Sequence, residues 1–188
     1  MSGKWVLVCG ASGAGKDSVM AWAQHRLAEN AQVVFSRRVV TRPAQPGSDH
    51  DEVSACYFEQ LLETRALAWH WQAHGFGYGV SADYAADVTA GRVVVVNGSR
   101  EHANTLGHAM ALGHNVQVVQ VLADAHQLAQ RLHQRGRDSS HAVAQRLARN
   151  NQFADLRADC TIVNNGALAD AGLQLAQYLH NLAAQAPD

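Results

Sequence analysis

The sequence predicts a single α/β domain of the P-loop NTPase class, in which helices flank a parallel β-sheet. Apolar runs alternate with amphipathic stretches along the chain, which is typical of strands that alternate with helices. A phosphate-binding loop motif stands directly after the first apolar run, where a strand would lead into a helix. The length of 188 residues fits one domain with a sizeable core, and no second domain is expected.

The individual strands and helices follow from the length and period of each apolar segment. Residues Val93 to Val96 are apolar at consecutive positions, which predicts a central strand buried on both faces. Helix N-caps are expected at Ser99, at Asp124 and at Ser139 or Ser140. Strands are predicted over residues 4–9, 33–35, 92–97, 116–122 and 161–163, and helices over 17–29, 99–112, 124–134, 140–154 and 168–184.

Residues 42–87 differ in composition from the segments on either side. They include Pro43 and Pro46, two of the three prolines of the chain. Turn-forming residues are dense over 43–51, a short helix is predicted around 54–63, and short strands are predicted over 67–73 and 76–80. We interpret this segment as an insertion within one domain that spans residues 1–188.

The phosphate-binding motif begins at Gly10 and ends at Ser18. Two glycines five positions apart let the backbone N–H groups curl around a phosphate, and the following lysine reaches the β and γ phosphates. The chain has two lysines, and the second, Lys16, falls at this position. A glycine-rich turn that binds nothing is the alternative. The residues predicted to bind ATP are Gly10, Ala11, Ser12, Gly13, Ala14, Gly15, Lys16, Asp17 and Ser18.

Asp17 is the one departure from this motif, because Ser or Thr usually follows the lysine and binds magnesium through its hydroxyl. A carboxylate at this position predicts a magnesium ligand of a different kind. The alternative is that Asp17 only stabilises the N-terminus of the following helix through its charge.

Arginines cluster in two places. Arg37, Arg38 and Arg42 follow the second strand, at the edge where open α/β sheets bind ligands. A second group surrounds one predicted turn between two helices, and such a group suits a polyphosphate whose charge it can stabilise during phosphoryl transfer. A solvated helical surface is the alternative for this group. Its members are Arg131, Arg135, Arg137, Arg146 and Arg149.

Composition excludes several other classes of protein. A formal net charge of −1 and a pI near 6.8 indicate neither a nucleic-acid nor a membrane surface, and no apolar run is long enough to span a bilayer. The apolar stretch near the N-terminus is too short for a signal peptide. Three widely spaced cysteines fit buried thiols in a reducing cytosol, so we expect a cytoplasmic enzyme.

Histidines and acids in the inserted segment are weaker candidates. His70 and His74 lie in or beside a predicted strand, where spacing of four does not bring two ligands to one face. Asp49, His50 and Asp51 could bind a cation, but their turn-rich surroundings favour a solvated loop.

These motifs, taken together, resemble the guanylate-kinase-like P-loop kinases over nearly the whole chain. The resemblance implies that the insertion binds the phosphate acceptor, that residues near 135–141 form an arginine-rich lid, and that Asn164 lies by the adenine. It implies acceptor roles for Ser36, Arg42, Tyr78 and Ser81, and transfer roles for Arg131, Arg135, Arg137 and Arg146. The matching residues are the loop at 10–18, Ser36, Thr41 to Pro43, Pro46 with Gly47, Tyr78 to Ser81, Arg131 with Leu132, Arg135 with Gly136, Arg146 with Leu147, and Ile162 to Asn164.

Two departures argue against guanine as the acceptor base. Gln45 stands where guanylate kinases have a second arginine, and residues 68–74 contain no acid where those enzymes read the guanine edge. A site built around a buried hydrogen-bonding group loses its selectivity when that group is absent.

With these departures, the chain is similar to a narrower family, the ribose 1,5-bisphosphate phosphokinases of bacterial phosphonate breakdown. The resemblance implies transfer of the ATP γ-phosphate to the 1-phosphate of ribose 1,5-bisphosphate, which yields 5-phosphoribosyl diphosphate and ADP. An acceptor with two phosphates and no base needs cations and hydroxyls, for which Arg37, Arg38, Asn97, Ser99 and Arg100 are candidates. The shared segments are Gly15 to Ser18, Arg37 to Pro43, His70 to Gly75 and Val96 to Arg100.

Magnesium would then be held differently from the guanylate kinases, which carry an aspartate at the strand end now occupied by Asn97. We hypothesise that Asp17 in the loop supplies the carboxylate instead, since Mg²⁺ commonly takes one or two carboxylates with phosphate oxygens and water. Two alternatives stay open from the sequence: a guanylate or other nucleoside monophosphate kinase, and a non-catalytic binding module of guanylate-kinase-like fold.

Overall fold

The computed structural model describes residues 3–11, 13–45, 48–104, 115–134 and 156–185. The predicted helix at 140–154 lies outside these residues. So do Ser12, Pro46, Gly47, Arg135, Arg137, Arg146 and Arg149.

Five of the described strands form one parallel sheet, as the alternation of apolar and amphipathic segments predicts. They are β1 (Lys4–Gly10), β2 (Val33–Phe35), β7 (Val93–Asn97), β8 (Val116–Leu122) and β9 (Cys160–Val163), in the order β2-β7-β1-β8-β9. All five residues of β7 are buried, which its continuous apolar run predicts. The strand lies inside the sheet, between β2 and β1, while β1 takes the middle position.

A second sheet of four strands is built from the inserted segment and the residues just before it. Its strands are β3 (Arg38–Val40), β4 (His50–Glu52), β5 (Leu67–Ala73) and β6 (Phe76–Ser81), in the order β4-β3-β6-β5. The last two were predicted from sequence. The first two were not, because strands of three residues are too short to show an alternating pattern.

Helices cover both sheets. They are α1 (Lys16–Arg26), α2 (Ala55–Glu63), α3 (Tyr84–Thr89), α4 (residues 100–104), α5 (Ala125–Gln134) and α6 (Leu168–Ala184). The ring of Phe58 on α2 lies against Gly77 of the second sheet, and the other five helices contribute side chains to the core on the two faces of the parallel sheet. Side chains from α1 and α6 share one core cluster with Val6 and Val8 of β1, and this packing fixes the N-terminus of α1 at the sheet edge. None of these described helices has the length and apolar character needed to cross a membrane.

Two predicted N-caps are confirmed. The Ser99 hydroxyl accepts a hydrogen bond from the backbone N–H of His102 at 3.0 Å, and the Asp124 carboxylate accepts one from Gln127 at 2.7 Å. Both satisfy amide groups that the first turn of a helix leaves without a partner.

One face of the second sheet brings together side chains that are far apart in sequence. Arg38 pairs across the strands with Val80, and Trp71 pairs with Tyr78, so their side chains project from the same face. The result is an arginine on β3 next to aromatic rings on β6 and β5, and that face looks toward the end of β7.

Candidate functional site

The motif loop joins the end of β1 to the start of α1 in a backbone shape that only glycine adopts readily. Gly13 and Gly15 have φ angles of 91° and 80°. A Cβ atom on Gly15 would lie 2.5 Å from the Asn164 side-chain nitrogen, and one on Gly10 would lie 2.6 Å from the Val121 carbonyl oxygen. The loop therefore requires glycine for both its conformation and its close packing.

Two side chains from the far side of the sheet support this loop. The Asn164 side-chain amide donates to the Ala14 carbonyl at 2.8 Å. The Arg131 guanidinium donates to the same carbonyl at 3.4 Å and to the Asn164 carbonyl at 3.0 Å. Asn164 is only 3% exposed, so its amide sits under the loop. In this structure, the residue predicted to lie by adenine supports the backbone of the phosphate loop.

Lys16, Asp17 and Asn97 form the centre of the site. The Lys16 ammonium donates to Asp17 at 2.6 Å and to the side-chain oxygen of Asn97. The Asn97 amide nitrogen in turn donates to Asp17 at 2.9 Å. The end of the buried strand β7 is thereby tied to the first turn of α1.

Burial and the charges of neighbouring groups together shift the pKa values of Lys16 and Asp17. Burial lowers the pKa of Lys16, although neighbouring Asp17 favours its charged form. Burial alone would raise the pKa of Asp17, but the charge and hydrogen bond of Lys16 and the Asn97 amide outweigh it and bring it to about 2. Asp17 is thus a carboxylate at neutral pH, and its side chain is 74% exposed beside a lysine that is 15% exposed.

The acceptor-side face adds Arg38 and a stack of rings. The Arg38 guanidinium donates to Asp49 at 2.6 and 2.8 Å and lies 5.7 Å from the centre of the Tyr78 ring. Trp71 stacks on Tyr78 with ring centres 5.4 Å apart, and on His102 with centres 4.5 Å apart. Burial, with a smaller effect of His70, lowers the pKa of His102 to about 4, so this ring is neutral in the stack.

Several residues predicted for the acceptor use their polar groups locally in this structure. The Ser36 hydroxyl donates to the Val95 carbonyl at 2.9 Å, and the Ser81 hydroxyl donates to Asp83 at 3.0 Å. The Ser99 hydroxyl caps α4. Hydroxyls of this kind favour the ends of strands and helices for structural reasons alone.

The remaining predicted arginines differ in their surroundings. Arg37 donates to Asp51 at 2.6 Å and to the His50 carbonyl at 3.0 Å, so it braces the loop that carries β4. Arg42 is exposed. Burial lowers the pKa of Arg100, while nearby Cys9 acts in the opposite direction.

Sequence reasoning missed the role of Asp49, which was interpreted as part of a solvated loop. The structure places its carboxylate against both Arg38 and the Asn97 amide. Asp49 reaches the site because β3 and β4 pair in parallel. This pairing sets Arg38 opposite His50, and Asp49 directly precedes His50. That pairing joins residues twelve positions apart through two unrecognised strands.

The described residues of the site supply only part of the ligand set of a magnesium ion. No cluster of three or more His, Cys, Asp or Glu side chains suited to a metal occurs among the residues that the structure describes. Mg²⁺ in phosphoryl-transfer enzymes is held by one or two carboxylates together with substrate phosphates and water. The exposed, ionised Asp17 beside Lys16 fits that donor set.

Comparisons with known proteins identify close relatives across nearly the full chain. Ribose 1,5-bisphosphate phosphokinase PhnN of Pseudofrankia inefficax is 43% identical over 177 residues, which cover 94% of this chain and 90% of that protein. The protein of the same name from Agrobacterium fabrum is 39% identical over 180 residues, or 95% of this chain and 97% of that protein. No family model matches the chain.

A solved structure shares the fold. The crystal structure of guanylate kinase from Anaplasma phagocytophilum superimposes with a TM-score of 0.69 and covers 96% of this chain and 86% of that one. The sequences are 18% identical, so the likeness concerns the fold alone. It confirms the predicted class, a P-loop α/β domain with a parallel sheet flanked by helices.

Proposed function

Because the chain belongs to the ribose 1,5-bisphosphate phosphokinase family, we propose that it transfers the γ-phosphate of ATP to the 1-phosphate of ribose 1,5-bisphosphate. The products are 5-phosphoribosyl diphosphate and ADP. The observation that carries this proposal is identity of 39–43% to proteins of that name over 94–95% of the chain. We place the reaction in the cytoplasm, within phosphonate breakdown, with a small molecule rather than a nucleic acid or membrane as partner.

On the donor side, the loop from Gly10 to Ser18 binds the phosphates of ATP through backbone N–H groups. The Lys16 ammonium has three donors, of which its contacts with Asp17 and Asn97 use two. The third donates to the γ-phosphate, where the charge of Lys16 offsets the negative charge that develops during transfer. Arg131 contacts the Ala14 carbonyl of the loop, which supports its assignment to transfer. The lid arginines assigned to transfer are Arg135, Arg137 and Arg146.

On the acceptor side, the described surface offers cationic groups but few means of holding a base. Strand β5, which spans most of residues 68–74, contains no acid. Trp71 already covers ring faces of Tyr78 and His102 that could otherwise stack on a base. The Arg38 guanidinium lies over the Tyr78 ring at one end of this stack. Three more arginines lie close to β3 or β7 in sequence, namely Arg37, Arg42 and Arg100. These features favour a ribose with two phosphates over a nucleoside monophosphate.

Magnesium would be held beside Asp17 and the ATP phosphates, where it screens the phosphate charge during transfer. The carboxylate takes the place of the usual loop hydroxyl. Its pKa of about 2 keeps it ionised throughout the working range of pH.

Replacing Asp17 by alanine tests this assignment, because alanine supplies neither the carboxylate nor the usual loop hydroxyl. We expect the Mg²⁺ concentration for half-maximal turnover to rise about tenfold, the lower end of the roughly 10- to 100-fold loss in affinity seen when a group that supports a metal site is removed. Mn²⁺ binding to the complex with a non-hydrolysable ATP analogue, followed by electron paramagnetic resonance, should weaken in parallel. Asp170→Ala is the matched control, since Asp170 is also an acid in the first turn of a helix. Equal Mn²⁺ affinity in wild type and Asp17→Ala would leave only the helix-stabilising role.

The acceptor itself is tested by a panel of substrates. ADP release with Mg-ATP is measured for ribose 1,5-bisphosphate, ribose 5-phosphate, GMP and AMP. We expect kcat/KM for ribose 1,5-bisphosphate to exceed that for GMP by about 10³-fold or more, since a site without its base-reading group does not favour a base. Faster turnover of GMP would make the chain a nucleoside monophosphate kinase, and no turnover of any acceptor would favour a binding module.

A further inference from the structure

Asp49 stands where the two halves of the site meet. It precedes β4 in the second sheet, and its carboxylate contacts Arg38 on that sheet and the Asn97 amide at the end of β7. Among the described residues, it therefore links the acceptor-side face to the strand that also holds Lys16. No transfer step yet assigned uses this carboxylate.

Arg38 depends on this contact because its guanidinium is buried. Its side chain is only 9% exposed, and its Nε atom is buried without a hydrogen-bond partner among the described residues. Both carboxylate oxygens of Asp49 accept hydrogen bonds from the Nη2 atom of Arg38. A buried guanidinium is costly unless a charge compensates it, so the position of Arg38 is set by Asp49 on one side and by the Tyr78 ring on the other.

The carboxylate is fixed in turn from its other side. The Asn97 amide nitrogen donates to both Asp49 and Asp17, and the Asn97 oxygen accepts from Lys16. Burial would raise the pKa of Asp49, but the charge and hydrogen bond of Arg38 lower it overall, so Asp49 stays ionised. Arg38 is thereby held at a fixed position relative to the lysine of the phosphate loop.

We propose that Asp49 is a positioning residue for the phosphate acceptor, which holds the Arg38 guanidinium at the distance from Lys16 that transfer requires. The inference rests on the proposed function, because it takes Arg38 as a group that binds the acceptor. Asp49 itself does not touch substrate in this scheme. A substitution of Asp49 should then weaken acceptor binding and spare ATP.

The test compares steady-state kinetics of wild type, Asp49→Asn, Asp49→Glu and Asp87→Asn. Asp87 is the matched control, since it also pairs with an arginine, Arg92, at 2.7 Å but lies at the opposite end of β7. We expect Asp49→Asn to raise KM for ribose 1,5-bisphosphate about tenfold and KM for ATP less than about twofold, the effect of weakening one charge-assisted contact to the acceptor. Asp49→Glu should recover part of the loss, and Asp87→Asn should match wild type.

A double substitution separates positioning from folding. If Asp49 acts through Arg38, Asp49→Asn should raise the acceptor KM much less in an Arg38→Lys background than in wild type. Thermal unfolding of each variant identifies any that are misfolded. If Asp49→Asn is misfolded, the KM values of Asp49→Glu are used in its place to test the proposal. Equal rises in both KM values, additive effects in the double variant, or no effect at all would each overturn the proposal. Failure of wild type to use ribose 1,5-bisphosphate would instead refute the proposed function.

Discussion

Replacement of Lys16 by methionine should lower kcat by about 10²- to 10³-fold, the loss found when one preorganised group that stabilises transition-state charge is removed. Lys16 is placed between the Asp17 carboxylate and the Asn97 amide, at the N-terminus of α1. Methionine keeps the apolar stem of the side chain and removes only its charge. ADP release with saturating ATP and acceptor measures the effect directly.

The chain supplies its own control for this experiment. Lys4 is the other lysine, and it lies at the start of β1, at the opposite end of the strand from the loop. Lys4→Met should keep kcat within about twofold of wild type, as surface substitutions away from a site usually do. Comparable losses in the two variants would show that the Lys16 effect is one of general stability, and full activity of Lys16→Met would remove the loop from the mechanism.

Replacement of Gly15 by alanine should weaken productive ATP binding, with a loss in kcat/KM for ATP of about 10²-fold. The new Cβ would lie 2.5 Å from the Asn164 nitrogen that holds the Ala14 carbonyl, so the support of the loop must move. A displacement of about 1 Å at a reacting group can cost on the order of 10²-fold in rate. Binding of a non-hydrolysable ATP analogue, measured by calorimetry, provides the readout.

Gly91→Ala is the control for the cost of placing alanine in a left-handed backbone conformation. Its φ of +88° resembles the +80° of Gly15, but, apart from its chain neighbours, no atom of the described residues lies within 4 Å of a Cβ built there. Both alanine variants should lose about 1–2 kcal/mol of unfolding free energy from the left-handed backbone. Only Gly15→Ala should also weaken ATP binding. If Gly91→Ala weakens ATP binding equally, conformational strain and not the contact with Asn164 explains the loss.

The parts of this structure that were predictable from sequence are those encoded in local patterns. The bounds of β2 and β8 and of helix α6 match the prediction, and the ends of β1, β7 and β9 differ by one residue. Apolar period and cap residues act over a few positions, so they can be recognised without knowledge of the fold. The phosphate loop is local in the same sense.

What could not be predicted depends on contacts between distant segments. Asp49 reaches the site only because β3 and β4 pair, and each strand is three residues long. The stack of Trp71 on Tyr78 and His102 joins residues from β5, β6 and α4, which no spacing in the sequence reveals. The hydrogen bond of the Ser81 hydroxyl to Asp83 was not predicted either, because the same residue type serves both in ligand binding and at the ends of strands.

The central claim, that the 1-phosphate of ribose 1,5-bisphosphate is the acceptor, is tested most directly by the product. Wild-type protein is incubated with Mg-ATP and ribose 1,5-bisphosphate, and the reaction is followed by phosphorus NMR. We expect the resonance of the 1-phosphate monoester to be replaced by a coupled diphosphate pair, while the 5-phosphate signal persists and one ADP forms per acceptor consumed. ADP formation with both monoester signals intact, or a diphosphate at the 5-position, would contradict the claim.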